Sequence, residues 1–126
     1  MPYRYRVDKK DDYIFFDVRG EADTVEDSRW FANEAIKEAE RLDCDCLFFD
    51  ERHLSMNLTS HDVYVLAEEF SQLLLHSGLR VAAFHVADNS DVGGAFETML
   101  RNRSFNYRSF TDKDEALDWL VLKADS

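Results

Sequence analysis

The run Cys44-Asp45-Cys46-Leu47-Phe48-Phe49, closed by Asp50, decides the fold. It is mostly apolar and too short for an ordinary helix, so it reads as a central strand. Upstream of it, Phe31, Ala32, Ala35, Ile36, Ala39 and Leu42 recur at three- and four-residue intervals, while Glu34, Lys37, Glu38 and Arg41 take the wetter side of the same helix. Thr24 and Asp27 have the spacing of a reciprocal cap at that helix's start. Downstream, Val63, Leu66, Ala67, Phe70, Leu73 and Leu74 form the clearest apolar stripe in the chain, capped by Thr59 or Ser60 and stopped at Gly78.

Working outward, the chain opens with two aromatic and β-branched stretches, Tyr3–Val7 and Tyr13–Arg19, joined by the polar tetrad Asp8-Lys9-Lys10-Asp11. That pattern predicts a β-hairpin, with Ile14, Phe16 and Val18 on the more buried face of its second strand, which Gly20 closes. Beyond Gly78, a strand is expected over Leu79–Val86, a turn at Asp88-Asn89-Ser90-Asp91 and a helix over 92–103 that turns Val92, Phe96, Met99 and Leu100 inward. A short strand, Asn106–Phe110, then precedes a last helix, Asp112–Leu122. Thr111 or Asp112 caps it, and Ala116, Leu117 and Leu120 face in. The order β-β-α-β-α-β-α-β-α predicts an α/β domain spanning 1–126, with right-handed crossovers, a five-stranded mostly parallel sheet and four helices.

Ten Phe and an apolar fraction of 45% supply core enough for one domain of 126 residues. A formal charge of −11 opposes phosphate backbones and anionic lipid heads, so neither nucleic acid nor a membrane surface is expected as a partner. The apolar runs fall short of the roughly 18 residues a membrane span needs, and Met1-Pro2-Tyr3-Arg4-Tyr5 lacks the apolar core of a signal peptide. A cytoplasmic location is the expectation. Cys44 and Cys46 should share a strand face, poorly placed to bridge each other, and are expected to be reduced and buried. No glycine-rich phosphate fingerprint follows a strand; the first one to enter a helix ends Arg19-Gly20-Glu21.

The richest polar stretch runs from Asp50 to Asp62, between the carboxyl end of a central strand and a helix start, where open α/β sheets tend to place ligands. Asp50, His53, His61 and Asp62 have no compact metal-ligand spacing, so no metal and no other cofactor is expected. His53 or His61 beside an acid would suit acid–base chemistry, but no nucleophile accompanies them. Phosphate on Thr59 or Ser60 would gain from the free amides of a helix start and be opposed by Asp62 and Asp50. The plainest reading is that Thr59 caps the helix and the acids are solvated. Gly93-Gly94 suits close helix–sheet packing better than anion binding, since Asp88 and Asp91 are nearby. His76 suits a helix C-terminus and His85 an interior strand position, while Trp30, Tyr64 and Trp119 could line a site.

The ending Phe110-Thr111-Asp112-Lys113-Asp114-Glu115-Ala116-Leu117-Asp118-Trp119-Leu120, following a hairpin and repeated strand–helix units, resembles the small SpoIIAA-like proteins of the STAS group. That group includes the bacterial anti-sigma-factor antagonists and the cytoplasmic domains of sulfate-type anion transporters. The resemblance implies a SpoIIAA-like fold with helices stacked chiefly against one sheet face. It also implies a non-enzymatic module that works by protein–protein recognition. In the antagonists a partner kinase phosphorylates the first Ser of an Asp-Ser-Ser-Gly motif, whose positions fall here on Leu58, Thr59, Ser60 and His61. Thr59 thus matches the acceptor, while Leu and His replace the Asp and the Gly. The implied surface comprises Asp50, His53, Asn57, Thr59, Ser60, His61 and Asp62, with a protein partner. Related folds hold lipids or nucleotides, so the rival expectation is a small apolar ligand or substrate in a pocket walled by Trp30 and Tyr64 near His53 or His61. An exposed edge strand would also allow a homodimer.

Overall fold

A computed structural model describes residues 3–74, 78–85 and 106–122. Within them the chain forms β1 (Tyr3–Lys9), β2 (Ile14–Ala22), α1 (Val25–Leu42), β3 (Cys46–Met56), α2 (Ser60–Leu74), β4 (Arg80–Phe84), β5 (Asn106–Phe110) and α3 (Lys113–Leu117), which runs on as a π-helical turn over Asp118–Leu122. The helix expected over 92–103, with Gly93-Gly94, the turn at Asp88–Asp91 and His76, lies outside the described residues.

The sheet has the order β1-β2-β3-β4-β5, with β1 antiparallel to β2 and the rest parallel. Because each crossover steps one strand in the same direction, the right-handed rule puts α1 and α2 on one face. There Ile14, Phe16, Val18, Phe31, Ala35, Ala39, Leu47, Leu54, Ala67, Val81 and Ala83 close into one core. Thr24 caps α1 reciprocally with Asp27, as the spacing predicts. Asp43 ends it in the left-handed conformation (φ 50°), its N–H reaching back to Ala39 and Glu40. Arg29 on α1 forks onto the Glu69 carboxylate of α2 at 2.7 and 2.8 Å, tying the two helices on their outer side.

Two of the three described helices thus lie on the first face, and the second is covered by α3. Cys46, Phe48, Ala82 and Phe84 make an apolar floor there, and α3 covers it with Ala116 and Leu120. α3 thereby shields an apolar floor that would otherwise meet water. Asp112 caps it by accepting from the Glu115 N–H. Arg80 lies 3.8 Å under the Trp119 ring and donates to the Trp119 carbonyl at 3.1 Å, anchoring the π-helical turn to β4.

β2 and β3 also run longer than the residue pattern predicts. Asp50 does not end β3, which continues to Met56 beside the extension of β2 to Ala22. The register shifts between Asp17 and Arg19, so that Glu51 and Arg52 together oppose Val18. This bulge breaks the two-residue alternation, and the strand beyond it looks like a polar loop even though Leu54 is 2% exposed. Gly20, at φ 117°, supplies the backbone conformation that other residues rarely adopt, opposite Leu54. Cys44 precedes β3 rather than sharing its face with Cys46; both are free thiols, Cys44 half-buried and Cys46 buried.

Candidate functional site

The connection from β3 to α2 is three residues long, Asn57-Leu58-Thr59, and it is pinned at both ends. The Asn57 N–H donates to the Ala22 carbonyl at 2.9 Å, and its side-chain amide donates to Asp23 Oδ1 at 2.6 Å. The start of α2 is thereby tied to the start of α1. Thr59 Oγ1 accepts from the Asp62 N–H and Asp62 Oδ2 accepts from the Thr59 N–H, both at 3.1 Å. Thr59, not Ser60, is therefore the cap residue. Its box takes up the amide of Asp62, leaving those of Ser60 and His61 without an intrahelical acceptor.

Ser60 and His61 are exposed, and Tyr64 is exposed to 49%. Tyr64 lies four residues from Ser60 and three from His61, so the three share one side of α2. The result is a projecting polar and aromatic knob at the positive end of a helix, held by a cap and by Asn57. Removing the cap should be measurable: Thr59→Ala is expected to cost about 1 kcal/mol. Thermal unfolding would show this as a melting temperature lower by a few degrees, with Thr59→Ser restoring it. An unchanged melting temperature would mean that the box does not hold the helix start.

Asp50 and His53 do not join this knob. Both project from the second sheet face, Asp50 level with Phe84 and His53 level with Arg19. Asp50 is locked into its own pair: the Arg52 Nε and Nη2 donate to its two oxygens at 3.0 and 2.9 Å, and the Arg52 N–H adds a third bond at 3.3 Å. Burial alone would push the Asp50 carboxyl up, but these bonds outweigh it and hold it below the usual carboxylate range. The Arg52 guanidinium also lies 4.8 Å above the Phe84 ring. Trp30 sits in the seam between α1 and β1, its ring 6.0 Å from that of Tyr5. Among the described residues no three His, Cys, Asp or Glu side chains gather as metal ligands, so Asp50, His53, His61 and Asp62 do not form such a set. Burial raises the Cys46 thiol above its ordinary value. No described helix is long and apolar enough to cross a membrane.

One polar pair escaped the sequence. Glu51, inside the bulge, and His85, just past β4, are 7% and 2% exposed, with His85 Nε2 3.0 Å from Glu51 Oε1. The approach is an ion contact rather than a directed hydrogen bond, since neither imidazole nitrogen finds hydrogen-bond geometry. Burial alone would lower the His85 pKa, but the Glu51 carboxylate outweighs it and holds it above the ordinary value. The two residues are 34 positions apart, and only the parallel pairing of β3 with β4 brings them level.

No family model and no curated protein matches the sequence. Solved structures do match, over nearly the whole chain. A serine-to-glutamate variant of RsbS from Moorella thermoacetica superposes with a TM-score of 0.62 at 20% identity, covering 98% of this chain and 99% of that one. An anti-sigma factor antagonist from Mycobacterium paratuberculosis gives 0.59 at 16% identity, covering 94% and 93%. An uncharacterised DUF3478-family protein with a SpoIIAA-like fold from Shewanella loihica PV-4 gives 0.57 at 20% identity, again covering 94% and 93%. At such identities the likeness is one of fold, and the chain has the SpoIIAA-like fold.

Proposed function

We propose that this SpoIIAA-like domain is a non-enzymatic, cytoplasmic regulatory module that binds a protein partner through the N-terminal end of α2. The observation that carries the reading is the knob itself. Ser60, His61 and Tyr64 stand exposed beside two amides that lack intrahelical acceptors, on a connection that Asn57 and the Thr59–Asp62 box hold still. A rigid, exposed polar and aromatic surface suits recognition, because little side-chain freedom is lost on docking. The two matched structures named for sigma-factor regulation, or as RsbS, share the fold and support the same reading.

Phosphorylation of Thr59 or Ser60 would act as a switch on this surface. The two positions differ in what the phosphate would meet. On Thr59 it would displace the cap bond and meet the Asp62 carboxylate, whereas the Ser60 hydroxyl carries no hydrogen bond among the described residues. Either dianion would gain from the helix start and alter the charge presented to a partner.

The test is co-purification from native cells of wild type and a Ser60→Arg/His61→Glu double variant, with mass spectrometry of the same preparations. A partner recovered with wild type and lost with the variant is expected, together with phosphopeptides spanning Thr59 and Ser60. Equal recovery from both would remove the surface from the account.

A further inference from the structure

We draw no further inference here: the strongest candidate, the buried Glu51–His85 pair between the β3 bulge and the end of β4, adjoins residues 86–105 outside the described part of the chain, so nothing in the structure shows what faces it beyond its own two partners.

Discussion

Phe48→Ala is expected to cost about 3–5 kcal/mol of unfolding free energy. Phe48 is fully buried at the centre of the second face, stacked on Phe15 at 5.5 Å and 14° and flanked by the rings of Tyr13 at 6.1 Å and Phe84 at 6.2 Å. Among the described residues the cluster it anchors is the smaller of the two, with neighbours such as Ala82 and Ala116 too short to reach into the space a lost ring would leave. The cavity term should therefore add nearly in full to the transfer term. A single domain has roughly 5–15 kcal/mol to lose, so the variant would sit close to the threshold of folding. Urea denaturation with an unchanged slope measures the effect directly. A loss below about 1 kcal/mol would mean that α3 does not form a packed core with the sheet.

The second large effect concerns the pair that links β3 to β4. Glu51→Leu is expected to leave the buried His85 without its counter-charge, at a cost of about 3 kcal/mol. The sign of the pH dependence follows from the raised His85 pKa. Such a group contributes stability that is fully present below its ordinary value, and that contribution disappears as pH rises through the higher folded value. The gap between wild type and variant should be widest at mildly acidic pH and close at alkaline pH, where the imidazole is neutral in both. Replacing both partners, as Glu51→Leu/His85→Leu, should recover most of the loss, since an apolar pair carries no unbalanced charge. Denaturation midpoints across that pH range decide it, and a gap that does not change with pH would show that His85 and Glu51 do not act as a charged pair.

The parts legible in the residues are those whose signal is local. The stripes of α1 and α2 and the reciprocal cap of Thr24 with Asp27 are written within a few positions of one another, and the structure repeats them. So is the central strand, because Leu47 and Phe48 are apolar on both faces. The continuation of β3 past Asp50 was hidden by the bulge, which shifts the alternation just where Glu51, Arg52 and His53 make the segment look solvated. That shift also divides the polar stretch read as one surface. Asp50 and His53 turn to the second face, while Asn57 to Asp62 stay at the start of α2. The Glu51–His85 pair and the opposition of Arg4 to Arg19 depend on strand register, which no spacing along the chain reveals.

The central claim is that the start of α2 is a protein-binding surface on a SpoIIAA-like domain. A photo-crosslinking amino acid placed at His61 tests it most directly, with Asn33, exposed on α1, as the control position. Irradiation in the native cell is expected to give one adduct of defined mass from position 61 and none from position 33. No adduct from position 61, or the same adducts from both positions, would contradict the claim.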